Sequence, residues 1–214
     1  MKKRSLIIVG IVLLIAQLAF AQNRTDRPTP PPTAPWTDPV AWVMAHENEL
    51  VATKDLHARF SILRNLAPAA YAAKQPDKAE AYAKELIEDG KLLNTTPGFG
   101  PGYYSDGTFI GNIVLGHLAF DANNIEKAKE HLLKAGDVPG SSVLKSFGPG
   151  MTLAKVLIEK GEGATAIKFF DECMKFWKME DGRLQMWKDA VVAGHTPNFG
   201  ISLTTGMSTW RVVP

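Results

Sequence analysis

The sequence predicts an all-α protein, a stack of about three helical hairpins with a further helix at each end. Three observations support this class: apolar residues recur at helical spacing, Asp, Pro and Gly punctuate the chain, and a Leu-small pair lies thirteen residues before an Ala three times. Such pairs let two helices cross closely, and their recurrence indicates stacked hairpins. The three sets are Leu66-Ala67 with Ala79, Leu115-Gly116 with Ala128, and Leu153-Ala154 with Ala166.

The first 36 residues are expected to precede the helical domain. A basic start, an apolar run from Ser5 to Leu18 and Ala19-Phe20-Ala21 predict a cleaved signal peptide over residues 1–21, with a retained membrane anchor as the alternative. Residues 22–36 contain five prolines and are expected to form a linker. The chain is therefore predicted to be exported, to the periplasm or outside the cell.

Charge gives no indication of a nucleic-acid partner. The formal charge is +2, from 24 Lys and Arg against 22 Asp and Glu. Lys2, Lys3 and Arg4 belong to the predicted signal peptide, so the mature chain keeps 21 basic side chains (24 less 3) and is formally −1. A basic stripe is therefore not expected. Cys173 is the single cysteine, which leaves no intramolecular disulfide to form.

The first three helices are predicted from their caps and apolar stripes. Asp38-Pro39 indicates the start of a helix expected to run to Leu50, because Asp caps helices and Pro fits their first turn. The second helix is expected over about residues 54–73, with Pro68 kinking it or ending it early. An Ala-rich helix is expected next, over residues 76–93.

Residues 94–108 are predicted to form the longest loop after the linker, because glycine and proline are frequent there. Phe99, Tyr103 and Tyr104 lie in this segment and are candidate ligand contacts, since loops often carry function and Tyr suits recognition. The alternative is that these rings anchor the loop on the first hairpin.

The second half of the chain repeats the hairpin pattern and ends in a tail. The helical domain is predicted over residues 37–195. The remaining elements are helices over 109–122 and 125–135, a loop over 136–148, helices over 149–159 and 164–177, a last helix over 181–193, and a tail over 196–214 that is either docked and extended or a short strand.

The three Leu-small pairs and the Ala that follows each of them resemble the pattern of the tetratricopeptide repeat (TPR). The middle set matches that pattern best, with Leu115-Gly116, Ala128, Leu132 and Ala135 at the expected spacings. The resemblance implies a right-handed α-α superhelix over about residues 55–180.

The spacing between repeats departs from the family's usual period of about 34 residues. Forty-nine residues separate Ala79 from Ala128, and 38 separate Ala128 from Ala166. The glycine-rich segment over 94–108 accounts for the first excess. A narrower resemblance, to a group of exported bacterial helical-repeat proteins without an established activity, is carried by Ala128–Gly136, Pro139-Gly140-Ser141, Ser146–Met151 and Phe176-Trp177.

The TPR resemblance also implies a ligand groove lined by the first helix of each hairpin. Two cations with aromatic rings nearby could hold a peptide carboxylate or an extended segment. The implied groove residues are Arg64, Tyr71, Ile113, His117, Phe120, Met151 and Lys155.

No motif for catalysis, metal binding or a cofactor is found, and none of these is expected. The five histidines form no His-x-x-x-His pattern, and His117 with His131 lacks a placed carboxylate for zinc. Cys173 occupies the small-residue position of its repeat, so a buried thiol is favoured over a nucleophile.

The sequence therefore predicts a non-catalytic scaffold that binds a protein or peptide. One alternative is an enzyme or enzyme subunit with its site under the segment over 94–108. The other is a structural component of envelope assembly.

Overall fold

The structure, a computed structural model, describes residues 38–203; the predicted signal peptide, the linker and the tail beyond Leu203 lie outside the described residues. Within residues 38–203 the chain is all-α, which confirms the predicted class. No helix in this range is long and apolar enough to cross a membrane. The elements are α1 (Pro39–Ala52), α2 (Leu56–Ala72), α3 (Pro76–Thr95), α4 (Pro101–Asp121), α5 (Ile125–Gly136), α6 (Ser142–Phe147), α7 (Thr152–Glu159), α8 (Gly163–Phe176), α9 (Arg183–Val192) and a 3-10 turn (Gly200–Leu203).

Side-chain caps set the start of several helices. The side chains of Asp38, Asp55, Asn124 and Ser141 each accept a hydrogen bond from the backbone N–H three residues later, at 2.7–3.1 Å. Each cap satisfies one of the N–H groups that lack a partner in the first turn. The predicted start of the first helix at Asp38-Pro39 is confirmed.

One turn geometry closes three helical hairpins, α2–α3, α4–α5 and α7–α8. The middle residue of each turn has a left-handed backbone, with φ of 56° at Lys74, 58° at Asn123 and 95° at Gly161. The next residue donates its N–H to the carbonyl five positions earlier, at 2.8 or 2.9 Å. This bond pattern ends the first helix with its carbonyls satisfied and directs the chain into the second.

Each hairpin packs on its neighbour in the chain. Helix α4 contacts α2 and α3, α7 contacts α4 and α5, and α8 contacts α5, while α1 and α9 cover the two ends. Leu153 of the third hairpin fits against Gly116 of the second, where a Cβ would lie 2.2 Å from Leu153 Cδ2. A small residue on the first helix of one hairpin therefore receives a large residue from the first helix of the next.

The prediction of a loop over residues 94–108 is wrong. Helix α3 continues to Thr95 and α4 begins at Pro101, so only a five-residue connection separates them. Gly107 lies where α4 crosses α3, and a Cβ there would stand 2.7 Å from the Leu86 carbonyl oxygen. This glycine allows two backbones to approach, whereas the glycine and proline content of the segment predicted a loop.

Of the two outcomes expected at Pro68, a kink or an early end of the helix, the early end is wrong, because α2 continues to Ala72 with Pro68 buried inside it. Two further predictions need correction. The predicted loop over 136–148 contains α6, capped by Ser141. The first part of the tail is a 3-10 turn whose Ser202 carbonyl accepts a hydrogen bond from Met151 N–H at 2.9 Å.

Candidate functional site

The three aromatic residues predicted as loop contacts lie near the start of α4. The Tyr103 ring centroid lies 5.4 Å from that of Phe60 and 5.4 Å from that of His57, both on α2, and 5.3 Å from that of Phe99. Tyr104 is half-buried against the core. These edge contacts attach the α3–α4 connection to α2. The rings thus have partners within the chain.

The predicted groove residues all lie on or next to the first helices α2, α4 and α7, but they differ in exposure. Ile113 and Met151 are fully buried in the core and reach no solvent. Phe120 is half-buried. Arg64 forms an ion pair with Asp106, and Lys155 forms one with Glu159. The two cations expected to hold a peptide carboxylate are therefore already neutralised.

Tyr71 and His117 belong to a polar row that joins the three hairpins. The Tyr71 hydroxyl donates to Asp121 Oδ2 at 2.9 Å, and its ring stacks on that of His117 with centroids 5.3 Å apart. His117 Nε2 lies 2.9 Å from the Thr152 hydroxyl at the start of α7. Each hairpin thus contributes a group, and each group has a partner.

Burial keeps the ring groups of this row neutral. Burial, with the hydrogen bond to Asp121 as a smaller cause, raises the pKa of Tyr71 far above its usual 10.0. Burial lowers the pKa of His117 to about 4. At neutral pH the Tyr71 phenol and the His117 imidazole are therefore uncharged.

A cleft of about 340 Å³ opens beside this row, between the turn of the first hairpin and the end of α4. Lys74 and Asp121 are exposed on its walls, and the Lys74 ammonium lies 5.7 Å from the Tyr71 ring centroid. Within residues 38–203 neither side chain has an ion-pair partner of opposite charge. We call this the Tyr71 cleft; its lining is Tyr71, Lys74, Pro76, Leu118, Asp121 and Ala122.

Of the cleft residues, Tyr71 was predicted from the sequence, whereas the charged Lys74 and Asp121 were not. Lys74 occupies the left-handed position of a hairpin turn, and Asp121 lies one residue before the equivalent turn of the next hairpin. Alignment of the turns at Lys74, Asn123 and Gly161 would have placed these residues at one end of the stack, since first helices of stacked hairpins run in the same direction.

A second cleft, of about 450 Å³, lies between α5 and α8. Its lining is Leu133, Lys134, Asp137, Lys168, Asp171 and Glu172. Asp171 is paired with Lys188 and Glu172 with Lys175, so two of its three carboxylates are neutralised within the chain. This cleft offers charged side chains at a surface without an aromatic wall.

The two other residues considered for catalysis or metal binding are His131, which is hydrogen-bonded within the domain, and Cys173, which is buried. His131 Nδ1 lies 2.8 Å from Asn112 Oδ1, an acceptor, so this nitrogen carries the hydrogen. Burial lowers the pKa of His131 to about 4. Cys173 is fully buried, and burial raises the pKa of its thiol well above the usual value. Within residues 38–203 no three His, Cys, Asp or Glu side chains are grouped to hold a metal ion.

Comparison with known proteins assigns no family. The chain matches no family model, and neither curated proteins nor solved structures include a match to it.

Proposed function

We propose that this chain is an exported, non-catalytic TPR-like scaffold that binds a protein or peptide in the Tyr71 cleft. The cleft itself carries the proposal: it is a surface concavity at the junction of two hairpins, with an aromatic and aliphatic lining. It also holds two charged side chains, Lys74 and Asp121, that form no ion pair within residues 38–203. Binding sites combine an apolar wall with a few polar groups in this way. The shared turns and the Leu153–Gly116 contact support the TPR-like arrangement.

The rigidity of the walls supports a binding role. Tyr71 is held by its hydrogen bond to Asp121 and by the stacked His117 ring, and Leu118 lies on the same α4 helix. A cleft whose walls are fixed before binding loses little conformational entropy when a ligand enters.

Burial of Cys173 and His117 supports a non-catalytic role for these two residues. A general base or nucleophile has to reach the substrate. The Cys173 thiol is fully buried, His117 is 2% exposed, and His131 is tied to Asn112. The enzyme alternative relied on a loop over 94–108, and that segment is mostly helical.

Selection of peptides tests this proposal. The exported chain is immobilised and panned with a random peptide library, and the dissociation constants of enriched peptides are measured by fluorescence anisotropy. We expect Leu118→Arg, which fills the cleft, to weaken binding at least tenfold. Leu92→Arg is the matched control, because Leu92 is 54% exposed on α3 and does not line the cleft.

Three results would contradict the proposal. No peptide is enriched, or enriched peptides bind the Leu118→Arg variant and the parent chain equally, or both variants weaken binding to the same degree. Hydrolysis of an enriched peptide during the incubation would favour the enzyme alternative.

A further inference from the structure

We infer that the Tyr71 cleft selects a peptide segment in which a basic and an acidic side chain flank an apolar one. This inference rests on the proposed function. The basic group pairs with Asp121, the acidic group pairs with Lys74, and the apolar side chain packs between them against Leu118 and Pro76.

The cation subsite follows from the position of Asp121. This residue is the last of α4, where the unpaired carbonyls give the helix end a partial negative charge. A carboxylate is unfavourable at this end of a helix. An added cation is therefore attracted both by the Asp121 carboxylate and by the helix end. Tyr71 donates to Oδ2 and orients the carboxylate, and no other hydrogen bond within residues 38–203 engages Oδ1. The side chain is exposed, so a ligand can reach Oδ1.

The anion subsite follows from Lys74. Its backbone is fixed in the hairpin turn by two hydrogen bonds, from Lys74 N–H to the Tyr71 carbonyl and from Gln75 N–H to the Ala70 carbonyl. Its ammonium lies over the Tyr71 ring and, in the described part of the chain, pairs with no carboxylate. The turn therefore holds a cation at the mouth of the cleft.

The apolar subsite is the remaining lining of the same cleft. Pro76, Leu118 and Ala122 line the cleft together with the Tyr71 ring. A volume of about 340 Å³ is near the lower end for small-molecule sites, which suits a single side chain with its flanking charges.

The charge pattern favours a polypeptide over nucleic acid or an anionic membrane surface. Polyanions are bound by several cations acting together. Here Asp121 lies across the same cleft as Lys74 and repels a polyanion. An amphoteric segment satisfies both groups at once.

Exchange of the two charges tests the inference. Peptides enriched on the parent chain are expected to carry both charges and to lose affinity about tenfold on Lys74→Glu or Asp121→Lys. The double variant carrying both changes is expected to enrich peptides with the reverse order of charges. Lys160→Glu in the third hairpin turn is the matched control, and circular dichroism verifies that each variant is folded.

The outcomes separate this inference from the proposed function. Enriched peptides without paired charges, or an unchanged charge order on the double variant, overturn the inference while Leu118-dependent binding still supports the scaffold. Failure of the parent chain to enrich any peptide overturns both. Equal loss on Lys160→Glu would show a non-specific charge effect and would also overturn the inference.

Discussion

Two helix crossings in the hairpin stack, α3–α4 and α8–α9, are packed in opposite ways. At the α3–α4 crossing the contacts involve glycine and alanine. A Cβ added at Gly90 would lie 2.8 Å from the Tyr103 carbonyl oxygen, and a Cβ added at Gly111 would lie 2.7 Å from the Ala83 carbonyl oxygen. At the α8–α9 end the contacts are between rings, with the Trp187 centroid 5.0 Å from that of Phe199 and 6.1 Å from that of Phe170.

The contrast shows that one hairpin unit can be stacked with either small or large residues. Small residues bring backbones together and leave no tolerance for added volume. Rings hold the helices apart and leave a large cavity when one is removed. The first kind of packing fixes the spacing between α3 and α4, and the Tyr71 cleft lies between the hairpins to which these helices belong.

Loss of a ring at the aromatic end is expected to have the largest effect. Trp187→Ala should lower the free energy of unfolding by about 3–5 kcal/mol, because this side chain is 2% exposed and contacts three other rings. Urea denaturation followed by circular dichroism measures the change. Met186→Ala is the control, since Met186 is 56% exposed and should change stability by less than about 0.5 kcal/mol. A loss below about 1 kcal/mol for Trp187→Ala would contradict the comparison.

Acid is expected to weaken the contacts among the three hairpins, because His117 of the second hairpin bridges Tyr71 of the first and Thr152 of the third. The pKa of His117 is about 4 in the folded chain against 6.5 when exposed, so the unfolded chain binds more protons between these values. The free energy of unfolding should therefore fall as the pH drops from 6.5 to 4, by about 3 kcal/mol from this group.

His117→Gln separates this effect from other titrations. The glutamine can still reach the Thr152 hydroxyl but does not titrate. We expect its stability to fall less over the same pH range; the remaining fall would include His131, whose pKa burial also lowers. Identical pH profiles for the variant and the parent chain would refute the role of His117.

Added volume at the glycine crossing is expected to have a smaller effect. Gly107→Ala should destabilise the chain by about 1–3 kcal/mol, because the new Cβ meets the Leu86 backbone at 2.7 Å. Gly102→Ala in the same helix meets nothing closer than 3.8 Å and should be stabilising by up to about 1 kcal/mol through helix propensity. Thermal unfolding of the pair gives the comparison, and shifts of the same sign would argue against backbone contact at this crossing.

The smallest effect is expected at the turns. Lys74→Gly should stabilise the chain by up to about 1 kcal/mol, because relief of the left-handed backbone exceeds the added freedom of the unfolded chain. Gly161→Lys, at the equivalent position of the third hairpin, should destabilise it by a similar amount. Urea midpoints measure both, and a loss of stability on Lys74→Gly would show that its ring contact outweighs the strain.

The sequence predicted those parts of the fold that depend on local chemistry. Asp38 caps its helix by its own side chain, as the Asp-Pro pair at positions 38 and 39 predicts. The buried position of Cys173 was predicted from its place in the repeat, and the structure confirms it.

The misses concern residues whose role depends on distant partners. Gly107 has the composition of a loop residue, and only its contact with α3 reveals why glycine is needed there. Lys74 has no local preference for a left-handed backbone, so its turn and its place in the Tyr71 cleft arise from how the hairpin closes. Asp121 gains significance only when Tyr71 of another hairpin reaches it.

The solitary thiol of Cys173 has a practical consequence. It lies in α8 with no solvent exposure, so a thiol reagent can modify it only when that helix separates from its neighbours. The rate of labelling of Cys173 under native conditions therefore measures how often the α8–α9 end unfolds locally. It does not report on the α3–α4 crossing, because those helices contain no cysteine.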